Sequence, residues 1–155
     1  MKDSSNIRKG ELLDIGAIKI YIDEAYASYI PRIGKRPASM DTDFRPLLDD
    51  GCVWVLELDR TVVGLMVLIE EPETFEIRSV AVRPAYQRHG LGERLMSHAE
   101  SLARQSGRSV LRLYTNAKLS ELITYYSKLG YHEEERKRDQ GYERVFMIKR
   151  LSPDA

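Results

Sequence analysis

The chain has 155 residues, 43% of them hydrophobic and 31% charged, enough to bury a core as a single domain over residues 1–155 without disulfide or metal staples. Lys plus Arg and Asp plus Glu stand at 24 each, so no global field recruits nucleic acid or an anionic membrane surface. A lone cysteine (Cys52), a polar Met1–Gly10 without the apolar centre of a secretory signal, and no apolar run of spanning length point to a cytoplasmic protein.

The first helix is predicted over residues 12–30, where Leu12, Leu13, Ile15, Ile18, Ile22, Ala25, Tyr26 and Tyr29 recur at largely helical spacing and Pro31 ends the pattern. A basic loop follows (Arg32-Ile33-Gly34-Lys35-Arg36-Pro37), then a short helix capped by Asp41 or Asp43 and running to about Leu48. Residues 52–58 and 61–70 are β-rich and meet at Asp59-Arg60, which predicts a hairpin. A third strand is predicted over 74–82. Then come a helix from Gly90 to about Gln105 with Gly107 behind it, a strand over 109–115, and a helix over 119–128 stopped by Gly130. Residues 131–137 and 142–149 read as a closing antiparallel pair around Asp139-Gln140-Gly141. Helices first, an antiparallel group next and a β-α-β-α-β series last describe a mixed α/β layer structure, not a purely parallel doubly wound sheet.

The run from Val80 to Gly92 is the most informative stretch. An apolar strand (Val80-Ala81-Val82), a turn at Pro84 and two glycines lead into an amphipathic helix. Amides at a helix N-terminus have no partner inside the helix, and the helix dipole adds partial positive charge there. Glycine at positions 90 and 92 lets an anion approach the main chain without meeting a Cβ, which predicts a phosphate or pyrophosphate site. A dinucleotide-type Gly-x-Gly-x-x-Gly is absent, because Arg94 and Leu95 occupy the following positions, and no Gly-Lys-Ser/Thr completes a Walker loop. His89, His98 and His132 have no metal-ligand spacing, so no metal is expected.

Gln87-Arg88-His89-Gly90-Leu91-Gly92 resembles the Gln/Arg-x-x-Gly-x-Gly/Ala motif of the GNAT superfamily of N-acetyltransferases. Tyr126-Ser127-Lys128-Leu129-Gly130-Tyr131 resembles that family's Tyr-x-x-Leu-Gly-Phe/Tyr, at the expected distance and in the expected element. The stretches 29–35 and 112–118 further resemble a bacterial branch of uncharacterised members. The resemblance implies a GNAT fold, with a central, mixed but mostly antiparallel sheet flanked by helices.

It also implies acetyl-coenzyme A as donor, with its pyrophosphate against the amides of Arg88, His89, Gly90, Leu91 and Gly92, the arm beside Gln87 and the Val80-Ala81-Val82 main chain, and no metal. The Val80 N–H would face the thioester carbonyl, where a lone donor stabilises a developing oxyanion. Tyr126 matches the family's general acid. Glu76 matches the base position of the histone-acetylating branch, and period-two alternation puts it on one strand face with Arg78, Val80 and Val82. A solvent-facing glutamate paired with Arg78 explains Glu76 nearly as well, and Glu70 or Glu71 stand as substitutes. Many members have an Asn seven residues before the tyrosine. Leu119 stands there in this chain, and Asn116 could take over the contact or simply cap the helix.

Tyr26, Tyr29 and Arg32 are candidates for contacting the acceptor, because the early helices flank the acceptor side of this fold. The expected reaction is direct transfer to a primary amine in a ternary complex, since Cys52 has no activating partner in sequence. A protein lysine or N-terminal acetyltransferase and a non-catalytic acyl-coenzyme A-binding regulator are the alternatives. Neither a nucleic acid nor a membrane is an expected partner, and a homodimer is compatible with the closing strands.

Overall fold

The computed structural model describes residues 5–152. In chain order it contains β1 (Ser5–Lys9), α1 (Ile15–Tyr26), α2 (Ile30–Ile33), α3 (Phe44–Asp49), β2 (Val53–Leu58), β3 (Thr61–Glu70), β4 (Thr74–Val82), α4 (Leu91–Gln105), β5 (Val110–Asn116), α5 (Ser120–Lys128), β6 (His132–Asp139) and β7 (Tyr142–Arg150). The strands form one seven-stranded sheet in the order β1-β2-β3-β4-β5-β7-β6. Every neighbouring pair is antiparallel except β4 and β5, which are parallel across the crossover helix α4. No helix among the described residues is long and apolar enough to cross a membrane.

The two faces of the sheet bury different helices. On one face Leu95, Met96 and Ala99 of α4 pack against Leu56, Met66, Ile77 and Leu113. On the other, Ile18 and Ile22 of α1 and Phe44 and Leu48 of α3 pack against Val53, Val55, Leu65, Val67 and Ala81. A fully buried leucine such as Leu95 contributes about 2 kcal/mol by leaving water.

Ser5–Lys9, polar in sequence, forms the edge strand β1, paired with β2 from Ser5↔Leu58 to Lys9↔Trp54. Two local expectations are corrected. Pro31 does not end the first helical pattern. It sits in the first turn of α2, where its missing N–H has no intrahelical acceptor to satisfy, and the stop is Gly34, at φ +92°. Leu12 and Leu13 lie in a 3-10 turn ahead of α1 and are 47% and 93% exposed, so they are not part of the apolar face. Between the two candidate caps of α3, Asp43 accepts from the Arg45 N–H at 3.1 Å, while Asp41 pairs with Arg36.

Two irregularities in β4 shape everything downstream. Its pairing with β3 runs Val67↔Ser79 and then Leu68↔Ile77, so Arg78 is an extra residue, a β-bulge. Before the bulge, Phe75 and Ile77 face α4; after it Val80 and Val82 do, and Ala81 turns to the α1 side. The second irregularity is a splay. Pairing between β4 and β5 runs from Thr74↔Val110 to Ile77↔Leu113 and stops, although β4 continues to Val82 and β5 to Asn116. Each strand keeps its other partner to the end, through Gly64↔Val82 and Asn116↔Arg144. A wedge opens in mid-sheet.

Candidate active site

The mouth of α4 is built by two left-handed residues, Arg88 at φ +68° and Gly90 at φ +80°. Gly90 is the N-cap and supplies no side-chain cap, and the first helical bond runs from the Arg94 N–H to the Gly90 carbonyl at 3.1 Å. Among the described residues, none accepts a hydrogen bond from the backbone N–H groups of Arg88 through Glu93. Orphan amides converging at the N-terminus of a 15-residue helix form an anion cradle. A Cβ at Gly90 would meet nothing closer than the Glu93 Oε1 at 4.0 Å, so the space in front of the loop is open. Gly92 has a second role, since its Cβ would stand 3.2 Å from the Tyr125 hydroxyl on α5. The side chains of Arg88 and His89 are exposed, and Leu91 is buried in the core.

Gln87 ties this loop to the sheet, its Nε2 donating to the Val82 carbonyl at 2.9 Å. One turn of pleat earlier, the Tyr26 hydroxyl donates to the Val80 carbonyl at 3.0 Å. Both carbonyls therefore point away from β3. A strand residue directs its N–H and C=O to the same side, so the Val80 and Val82 amides also face the wedge. Ala81 differs. Its carbonyl is directed at β3, 2.9 Å from where a Cβ at Gly64 would be, and its side chain lies in the α1 core.

The wedge contains a cavity of about 140 Å³ lined by Ile77 to Val80 of β4, Leu113 to Asn116 of β5, and Tyr26, Tyr29, Tyr126, Tyr142 and Arg144. Tyr126 lines it from α5, with its ring 5.2 Å from that of Tyr125 and 6.1 Å from that of Tyr131. No described residue hydrogen-bonds the Tyr126 hydroxyl, and burial pushes its pKa above the ordinary tyrosine value. Burial does the same to Tyr26 and Tyr29. Asn116 also lines the cavity, but its Oδ1 accepts from the Lys118 N–H at 2.9 Å, the turn that leads into α5.

The candidate bases lie outside this cavity. Glu76 and Val80 are on opposite faces, because the Arg78 bulge breaks the alternation that would have aligned them. Glu76 binds the Arg78 guanidinium, with Nε at 3.0 Å, and borders a second, more polar cavity. Glu70 pairs with Arg108, and Glu71 accepts from Thr74 at the far end of β4. Among the described residues, no carboxylate lines the first cavity. Arg32 does not line it either. Its guanidinium grips Glu121 of α5, with Nη2 at 2.7 Å, and holds α2 against α5. That contact holds the Glu121 carboxyl down at about 2.

Sequence reasoning passed over Arg144, whose side chain is 5% exposed. It lies 4.2 Å from the ring centroid of Tyr114 and 5.4 Å from that of Tyr142. The available signal was its phase, since Arg144 alternates with Phe146 and Ile148 along β7. Cys52 is half-buried, its thiol pKa is raised by burial, and it borders neither cavity. No group of three or more His, Cys, Asp or Glu that could hold a metal occurs among the described residues.

Four similarities to known proteins bear on this geometry. The chain is 26% identical over 139 residues to an uncharacterized N-acetyltransferase of Methanocaldococcus jannaschii, a match covering 84% of this chain and 60% of the relative's length. The fold is similar to that of the PaiA N-acetyltransferase of Thermoplasma acidophilum, solved in complex with coenzyme A. There the TM-score is 0.77 and the identity 19%, over 96% of this chain and 99% of that one. It is similar again to the ribosomal-protein-S18-alanine N-acetyltransferase of Escherichia coli, with a TM-score of 0.73 and 21% identity over 96% and 94% of the two chains. A family model described as an acetyltransferase (GNAT) domain matches residues 49–133, a span that holds the splayed strand, the amide cradle and Tyr126. The chain belongs to the GNAT family of acetyltransferases, whose acetyl donor is acetyl-coenzyme A.

Proposed function

We propose that this chain is a cytoplasmic N-acetyltransferase that passes the acetyl group of acetyl-coenzyme A directly to a primary amine, without an acetylated enzyme. The observation that carries the reading is the row of unpaired amides from Arg88 to Glu93, continuous with a strand end whose Val80 and Val82 amides face an open wedge. The cradle takes the pyrophosphate, with Arg88 adding charge. The arm follows the strand end past Val82, and the Val80 N–H meets the thioester carbonyl, where it stabilises the oxyanion.

The amine nitrogen attacks the thioester carbon, the C–S bond breaks, and coenzyme A leaves as a thiolate. A thiol pKa of about 8.5 makes that departure easy. The Tyr126 hydroxyl donates a hydrogen bond to the leaving sulfur. Burial disfavours its ionised form, which suits it to donate.

The amine must be neutral to attack, and a lysine-like amine starts near pKa 10.4. Among the described residues two guanidiniums and no carboxylate line the cavity, an environment that disfavours the ammonium form. The released proton leaves by water through the second cavity, where Glu76 is the accepting carboxylate. Tyr26 and Tyr29 shape the wall the acceptor meets. The half-buried, unactivated Cys52 supports direct transfer.

Two measurements test the reading: stabilisation of the folded chain by acetyl-coenzyme A, and free-thiol release with an amine panel. Ligand stabilisation together with amine-dependent thiol release supports a transferase. Stabilisation with no release from any amine leaves a regulator and refutes transfer.

A further inference from the structure

The second cavity shares Ala38, Ser39, Arg78, Tyr114 and Arg144 with the first, and no residue of the 87–92 loop borders either. It adjoins the wedge through those five residues, and its own lining lacks Val80 and Tyr126. At the junction stands Arg144, and its environment is unusual for so buried a cation. Among the described residues its only hydrogen bond runs from Nη1 to the Asp139 Oδ2 at 2.6 Å. A guanidinium carries five N–H donors in a planar fork, so most of its capacity is unused. The Tyr114 and Tyr142 rings hold the fork in place while supplying no in-plane acceptor.

The other charges around the two cavities are already matched. Glu76 holds Arg78, Asp41 holds Arg36, and Asp139 holds Arg144 itself. Among the described residues the junction lacks an acceptor for the remaining Arg144 donors. The unbonded Arg144 nitrogens are not among the buried atoms without a partner, so they remain open to the cavities, and a planar carboxylate fits the fork in bidentate fashion.

Resting on the transferase reading, we propose that Arg144 is a specificity-determining residue that binds a carboxylate of the acceptor. The acceptor is then an amine that also carries a carboxylate, as a free amino acid does. The carboxylate docks on Arg144 at the junction and directs the amine into the wedge toward the Val80 N–H.

The test compares α-amino acids with their own carboxamides as acceptors, following thiol release at saturating acetyl-coenzyme A. The amine is kept and only the charge is removed. The expected result is that the preferred amino acid exceeds its carboxamide in kcat/KM by about 30-fold or more, the discrimination lost when one partner of a buried charge pair is removed. Arg144→Gln raises KM for the amino acid by a similar factor, leaves kcat and the stabilisation by acetyl-coenzyme A nearly unchanged, and erases the preference over the carboxamide. Retained stabilisation by acetyl-coenzyme A shows that the variant is folded, and the wild-type comparison stands without any variant. Equal use of acid and amide by the wild type overturns the proposal while leaving the transferase intact, as does an Arg144→Gln variant that keeps the preference. Stabilisation by acetyl-coenzyme A with neither acceptor class acetylated overturns both readings.

Discussion

Gly90 and Gly107 form a matched pair for testing the phosphate cradle. Both have left-handed backbone, at φ +80° and +75°, and a Cβ at either meets nothing closer than 4.0 Å. Alanine at either position therefore costs backbone strain and almost no steric clash, about 1 kcal/mol. For a chain of this size that lowers Tm by about 2–4 °C, alike in both variants. They part company when acetyl-coenzyme A is added. Gly107 follows the far end of α4, whereas Gly90 aims the orphan amides and would place its new methyl in the anion's path. Loss of one hydrogen bond to a charged group is worth about 1.5 kcal/mol or more, so Kd should rise about tenfold in Gly90→Ala. At a ligand concentration 100 times the wild-type Kd, ligand stabilisation is about 2.7 kcal/mol for wild type and Gly107→Ala, but about 1.4 kcal/mol for Gly90→Ala. Differential scanning fluorimetry against a ligand series reads this directly. Equal ligand stabilisation of the two variants would falsify the cradle.

Tyr126→Phe should lower kcat by about 100-fold with the acetyl-coenzyme A-induced Tm shift intact; since no described residue bonds that hydroxyl, stability should move by less than about 0.5 kcal/mol. An unchanged kcat removes Tyr126 from the chemistry. Gly64→Ala puts a Cβ 2.9 Å from the Ala81 carbonyl, a rigid backbone atom, and should cost about 1–3 kcal/mol in chemical denaturation; a neutral effect would mean that β3 and β4 can move apart. Burial raises the pKa of Tyr26, Tyr126 and Tyr131 in the folded chain. The unfolded chain therefore releases protons above about pH 10 that the folded chain retains, so the stability these groups contribute is complete below pH 10 and falls as pH rises beyond it. Urea midpoints at pH 8 and pH 11 check the sign, and a higher midpoint at pH 11 would contradict it.

Much of the fold was legible because hydrophobic period and glycine punctuation agree along most of the chain. The hairpin at Asp59-Arg60, the amphipathic α4 and the stops at Gly107 and Gly130 are local devices, and local devices are visible in sequence. What escaped depends on partners far away in the chain. β1 is polar, and only β2 makes it a strand. Pro31 reads as a stop, yet the first turn of α2 tolerates it. At the site, α5 meets the mouth of α4 through Tyr125, whose hydroxyl stands 3.2 Å from a Cβ built at Gly92, while Tyr126 on the same helix lines the wedge. Glu76 was misaligned because alternation holds only while a strand stays in phase, and nothing local marks Arg78 as the residue that breaks it. Arg144 was passed over because an arginine near a chain's end reads as surface unless its neighbours in phase are weighed.

That single unpaired residue, Arg78, acts as a parity switch. Upstream of it, odd-numbered positions of β4 look toward α4 and even-numbered ones toward the other side of the sheet; downstream the rule is reversed. On the transferase function proposed above, residues that shape the acceptor's approach and residues that present the donor's main-chain contacts are thereby written in one short strand without sharing a face. Substitutions on one side would then retune which amine enters while the half that handles the thioester stays fixed. Deleting Arg78 would let a single alternation run from Phe75 and Ile77 through Val80 and Val82, so each remaining side chain would keep its face and what would be lost is the bend of the bulge and the guanidinium it carries.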